Sequence, residues 1–105
     1  SRNAYLNGTE KKDALCLYKS LIKAQTMVSA DTKNAKEITA EMEKIINNCK
    51  SAKIDYISIV NPETLEAVSE VQHGDVAALA VRIGKTRLID NIILMVLIVL
   101  FVYST

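Results

Sequence analysis

Several kinds of site are ruled out by what is scarce. There is one histidine, His73, in the polar run Gln72-His73-Gly74-Asp75. No nucleophile or carboxylate can be paired with it, so no acid–base couple is visible and the residue is expected to sit in a solvated loop. The two cysteines, Cys16 and Cys49, make no CxxC and no Cys/His spacing, which argues against a metal centre. Both fall on apolar stripes of predicted helices. The simplest expectation is a pair of reduced core thiols in a cytosolic protein, with a disulfide as the lesser alternative. Charge of one sign is also missing. Thirteen basic against twelve acidic residues leave +1, so bulk attraction to nucleic acid or an anionic membrane is not expected. The longest apolar run, Ile92 to Tyr103 in IILMVLIVLFVYST, falls short of the ~20 residues that a membrane-spanning helix needs. The polar opening SRNAYLNGTEKK has no signal-peptide pattern, and the expected location is cytoplasmic. Neither repeats nor low-complexity linkers interrupt the chain.

What remains fits one domain of 105 residues. Asn7-Gly8-Thr9 reads as a turn and helix start, with Thr9 as cap and Glu10 favoured by the helix dipole. From Asp13 to about Val28, Ala14, Leu17, Tyr18 and Leu21 recur at helical spacing, and Leu15 and Ile22 widen the stripe. Lys11, Lys12, Lys19 and Lys23 form its solvated face. Ser29-Ala30-Asp31-Thr32 breaks the period, and Asp31 is placed to cap a second helix running to about Lys50. The stripe of that helix is Ala35, Ile38, Met42, Ile45, Ile46 and Cys49. Ile54 to Val60 is β-branched, aromatic and short, hence a strand. Asn61-Pro62-Glu63-Thr64 is a turn. Leu65 to Val71 reads as a loop holding either a short helical turn or a strand.

The stretch Val76 to Asn91 reads as a hairpin about Gly84-Lys85. Gly in the first loop position suits a type II′ turn. That register sets Ile83 opposite Thr86, Arg82 opposite Arg87 and Val81 opposite Leu88. Val81, Ile83, Thr86 and Leu88 then share one face, and Ala80, Arg82, Arg87 and Ile89 the other. The fold class is therefore α+β: a small antiparallel sheet of about three strands, ending in a C-terminal hairpin and covered by two N-terminal helices.

Arg82 and Arg87 are the sharpest candidates. Like charges directly opposite destabilise a hairpin. Either an anion offsets them, a phosphate or a partner's carboxylate, or they splay into solvent or pair with Asp75, Asp90 or a helix carboxylate. Gly84-Lys85-Thr86 looks like a phosphate-loop fragment but lacks the preceding GxxxxG and a following helix. Lys85 reads as a hairpin-tip charge. Tyr18 and Tyr56 read as core or rim aromatics.

Four segments, in order, resemble one family. SRNAYL is similar to the second half of the MSSRNxYL segment of the pantothenate synthetases (pantoate–β-alanine ligases). ALCLYKSL resembles the helix after it. DYISIVNPETLEAV resembles the family's D-Y-x-x-x-V-[DN]-P-x-T-L-E segment, and AALAVRIGKTRLIDNI its A-x-R-x-G-x-T-R-L-I-D-N close. The likeness runs from Ser1 to about Ile93 and concerns the C-terminal domain only. It implies an ATP- and Mg²⁺-dependent ligase. Pantoate's carboxylate attacks the α-phosphate of ATP, and the amine of β-alanine then displaces AMP from pantoyl adenylate. A Rossmann-like N-terminal nucleotide-binding domain with a HIGH-type motif holds ATP and pantoate, and the smaller domain acts as a lid. Ser1 matches the second serine, and Arg2 the arginine, of a segment that touches the ATP phosphates. Tyr5, close by, either helps seat that segment or anchors packing. The histidines, the Mg²⁺ ligands and both substrate pockets belong to the absent domain. No complete catalytic set, bound cofactor or ligase activity is expected in this chain alone.

The resemblance divides the chain at 1–93 and 94–105. The apolar tail departs from the family's pattern. It is free of charge and proline, an aggregation hazard if exposed. It is expected to extend the sheet against another chain, to pack on the core as a helix, or to cover surface that the absent domain would bury. Each option favours a homo-oligomer. The competing functional class is a free-standing α+β interaction module with a self-associating C-terminal segment.

Overall fold

The computed structural model describes residues 8–96. Two helices lead: α1 (Gly8–Ser29) and α2 (Ala35–Asn47). Three strands come next: β1 (Ala52–Val60), β2 (Val76–Ile83) and β3 (Thr86–Ile93). The strands pair antiparallel in the order β1-β2-β3. Both helices pack on one face of this sheet, as the α+β expectation requires. Leu17, Leu21, Ala24 and Val28 of α1 and Ala35, Ile38, Met42 and Ile46 of α2 meet Ile59, Ala77, Leu79, Val81, Ile83 and Leu88 in one buried cluster.

The hairpin has the expected register, with Ile83 opposite Thr86, Arg82 opposite Arg87 and Val81 opposite Leu88. Gly84 alone carries a positive φ there, 60°, as a type II′ turn needs at its first position. The Gln72–Asp75 turn places Gly74 at φ 94°. The Asp75 amide donates to the Gln72 carbonyl, and the buried Asp75 carboxylate accepts from the Gln72 amide at 2.8 Å.

Helix boundaries differ from expectation. α1 already includes Gly8, so Thr9 lies inside its first turn rather than capping it. Asp31 ends a helix instead of starting one. It sits at φ 71°, its amide donates to the Val28 carbonyl, and the Thr32 amide donates to the Met27 carbonyl. That is a Schellman stop, with aspartate in the left-handed position more often held by glycine. Asn34 caps α2, accepting from the Glu37 amide at 3.0 Å. The Leu65–Val71 stretch is neither helix nor strand. It runs as a connector that bridges at two points, Val60 with Ala67 and Asn34 with Glu70. Its start is tightly turned: the Asn61 carboxamide accepts from the Glu63 and Thr64 amides, and Leu65 takes φ 62°.

Two packing expectations are corrected. Tyr18 does not belong to the buried stripe of α1, and Leu15 and Ile22 do not widen it; all three are exposed. The centre of burial falls on Leu17, Leu21, Ala24 and Val28, which leaves those three on average about a third of a turn away. Cys16 and Cys49 are not reduced thiols but a disulfide, with Cα atoms 6.7 Å apart. Cys16 lies 13 residues before the end of α1 at Ser29, and Cys49 lies 14 residues after the start of α2 at Ala35. An antiparallel helix pair with a short connection brings such positions level. Among the described residues no helix is long and apolar enough to cross a membrane.

Two measurements check this packing. Leu79→Ala, at a fully buried site in the central strand, is expected to lower the unfolding free energy by about 2–5 kcal/mol in urea titration. The bridge closes a loop with a sequence separation of 33; chain entropy alone predicts that reduction lowers stability by ~3–4 kcal/mol. A Cys16→Ser/Cys49→Ser double variant should lose all sensitivity to reductant.

Candidate functional site

The helices occupy one face of the sheet, and among the described residues no other element covers the opposite one. Strand alternation sets its side chains in rows. Lys53, Arg82 and Arg87 are in register across the three strands, followed by Tyr56, Ala80 and Ile89. The ladder between β1 and β2 slips between Ile54 and Tyr56. Asp55 is the extra residue of this bulge, which aims its carboxylate at the arginines.

Arg82 and Arg87 therefore share a partner. The Arg87 Nε donates to Asp55 Oδ2 at 2.8 Å, and the Arg82 Nε stands 3.6 Å from the same oxygen. Arg87 reaches it from β3, across the whole of β2. The Arg87 hydrogen bond holds the Asp55 carboxyl below the ordinary aspartate range; partial desolvation pushes the other way, and the charges of Arg82 and Arg87 add to the lowering. One carboxylate between two guanidiniums relieves the like-charge opposition of the hairpin and leaves one positive charge over. Lys53 adds another in the same row. All these side chains stand at the surface, so an anion approaching the open face meets a net cationic patch.

The acids offered from sequence are engaged elsewhere. Asp75 closes its own turn, and Asp90 Oδ1 accepts from the Asn91 amide at 2.8 Å. Asp55 was legible only as part of a strand, because a bulge leaves no local signature in the residues around it. Gly84-Lys85-Thr86 is the hairpin tip and leads into β3, so it makes no phosphate loop. His73 is exposed, and its Nδ1 accepts from the Val96 amide at 3.1 Å. Ser1, Arg2 and Tyr5 lie outside the described residues, as does the tail beyond Val96. Among the described residues no three His, Cys, Asp or Glu side chains gather to hold a metal ion. The hollow between α2 and β1 is lined mainly by Ala35, Thr39, Ile57, Ile59 and Val68, with Lys36 as its charged member. It holds no acid–base pair.

Comparison with known proteins covers nearly the whole chain. Residues 1–93 match the family model described as pantoate-beta-alanine ligase. A pantothenate synthetase from Clostridium botulinum (strain Langeland) is 50% identical over 91 residues, 87% of this chain and 32% of that protein. One from Thermosipho africanus is 45% identical over 94 residues, 90% and 34% of the two lengths. The crystal structure of the Thermus thermophilus pantothenate synthetase superposes with a TM-score of 0.81 at 30% identity, covering 90% of this chain and 34% of that one. The chain thus spans about a third of the length of the curated relatives it matches.

The shared carboxylate makes a prediction about acid. Asp55 titrates below the ordinary range in the folded chain, so the pair contributes stability at neutral pH. That contribution is fully present above the ordinary aspartate value, declines as pH falls below it, and is gone once pH has passed the lowered value. Carboxyl ¹³C titration should show Arg87→Ala raising the Asp55 midpoint towards normal, and Arg82→Ala raising it less.

Proposed function

The chain belongs to the pantoate–β-alanine ligase family as its C-terminal domain, and we propose that it serves as the lid of that ATP-dependent enzyme. The observation that carries this reading is the match from residue 1 to residue 93, over a third of the relatives' length. A free-standing interaction module would leave that match without a reason.

In the proposed reaction, pantoate's carboxylate attacks the α-phosphate of ATP, and β-alanine's amine displaces AMP from the acyl adenylate. ATP, Mg²⁺, pantoate and β-alanine are held mainly by the N-terminal nucleotide-binding domain, and this chain closes over them. Ser1 and Arg2 are its phosphate contacts. A guanidinium offers a fixed charge and a planar donor fork to phosphate oxygens as charge develops on them. Arg82 and Arg87 supply a second cationic surface on the open sheet face. Asp55 holds both side chains against one carboxylate oxygen, so neither must be ordered afresh when an anion arrives. Support for that role comes from the charge left over in the cluster and from the helices leaving this face uncovered. Self-association through the apolar C-terminal segment, and a cytoplasmic location, belong to the same proposal. The location pulls against the Cys16–Cys49 bridge, because that compartment keeps thiols reduced.

The tests use the full-length polypeptide. Loss of one charge-assisted contact costs about 1.5–3 kcal/mol, so Arg2→Ala and Arg87→Ala should each lower kcat/KM for ATP by ~10- to 100-fold. Unchanged ATP binding and turnover in Arg87→Ala would remove the sheet face from the proposal and leave Arg2 in it. The 105-residue chain alone should release no AMP on addition of β-alanine. Release would contradict the division of labour.

A further inference from the structure

The loop after β1 is tightly bonded, yet it presents a leucine to solvent. The Asn61 amide donates to the Glu66 carbonyl at 3.0 Å, and the Leu65 amide to the Asn61 carbonyl at 2.7 Å. The Asn61 carboxamide oxygen accepts from the Glu63 and Thr64 amides, and Thr64 Oγ1 accepts from the Glu66 amide. These bonds hold Leu65 at φ 62°, a region that a residue with a Cβ enters at a cost. The Leu65 side chain is 75% exposed, more than any other large apolar side chain among the described residues. A preformed loop that carries both costs points to a contact made by that leucine.

A matching hollow lies beside the loop. It opens between α2 and β1, is lined mainly by Ala35, Thr39, Ile57, Ile59 and Val68, and measures about 240 Å³. A cavity of ~150 Å³ takes a benzene ring, and a leucine side chain is smaller than that ring. Leu65 does not fill the hollow of its own chain, since it stands in solvent. Charge matches as well as size. Lys36 stands at the hollow, and Glu63 and Glu66 flank Leu65. All three are exposed, and none belongs to an ion pair among the described residues.

We propose that Leu65 of one copy enters the hollow of a second copy, with Glu63 and Glu66 meeting Lys36 of that copy. The arrangement closes on itself. Val68, on the wall of the hollow, follows Leu65 by three residues, so knob and hollow share one edge of the domain. A two-fold axis near residues 66–67 sets each leucine in the other copy's hollow, the self-complementary pattern of an isologous dimer. Apolar burial of both leucines drives the contact, and the pairing of acid with lysine fixes its orientation. A partner of another kind would take the leucine and leave the hollow empty. The contact is small, so the dimer is weak and forms with rising concentration. It involves neither the arginines nor any substrate and stands apart from the ligase reading.

The test mixes 105-residue chains of two isotope labels and treats them with a carbodiimide, which joins a lysine amine to a carboxylate it touches. The expected product links Lys36 to Glu63 or Glu66 across the two labels, at a yield that rises with protein concentration. Leu65→Asn removes the apolar knob and keeps a residue that tolerates the left-handed backbone. It should lower that yield by at least ~10-fold, with the circular dichroism of the chain unchanged. Links confined to one label, cross-label links that join only other positions, an undiminished yield in Leu65→Asn, or no link at all would overturn the proposal.

Discussion

β2 is bonded along both edges, and every other position of this molecule takes its place from that strand. Ala77, Leu79, Val81 and Ile83 are fully buried beneath the helices, and the alternate positions carry the open face. A slip of one residue would exchange those two sets. It would drive Arg82 into the apolar cluster and lift Leu79 and Val81 into water. The register is thus enforced by a large burial difference, and the type II′ turn at Gly84 reinforces it from the other end.

The placement of charge depends on this. Because both helices lie on one side, the row of Lys53, Arg82 and Arg87 stays in solvent. A regular ladder would not bring a β1 carboxylate to the arginine of β3. The bulge at Asp55 does so, and converts an unfavourable cross-strand pair into a three-membered cluster with charge to spare. The opposite end of the sheet is built differently. There the Gly74 amide donates to the Leu94 carbonyl and the Leu94 amide to the Asp75 carbonyl. This prolongs the β3 pairing past its last regular residue and delivers Met95 to Gln25.

Much of this was legible in the residues. The hairpin was readable because Gly84 sits between two strand-forming runs in which Val81, Ile83 and Leu88 share one face next to the turn, so turn chemistry and burial agree on one register. The α2 stripe was readable for the same reason: its apolar positions fall on one side. α1 was misread because it carries apolar residues on two sides, and periodicity cannot say which stripe the sheet takes. Asp31 was misread because aspartate suits both a helix start and the left-handed stop that the backbone adopts here. The disulfide needed the antiparallel helix pair before equal offsets from the connection meant anything. Asp55 needed a bulge, a property of two strands together and of neither alone. The family likeness rested on long segments, DYISIVNPETLE and RIGKTRLIDN, and the match over residues 1–93 agrees with it.

The central claim is that the open sheet face and the segment entering α1 turn towards a nucleotide held by the rest of the enzyme. A crystal structure of the full-length polypeptide with bound ATP measures this directly. The account predicts the Arg2 guanidinium within hydrogen-bonding distance of the phosphates and the Arg82–Asp55–Arg87 face turned towards the nucleotide domain. An Arg2 side chain directed away from the triphosphate, with the helical face of this domain turned towards the nucleotide instead, would contradict it.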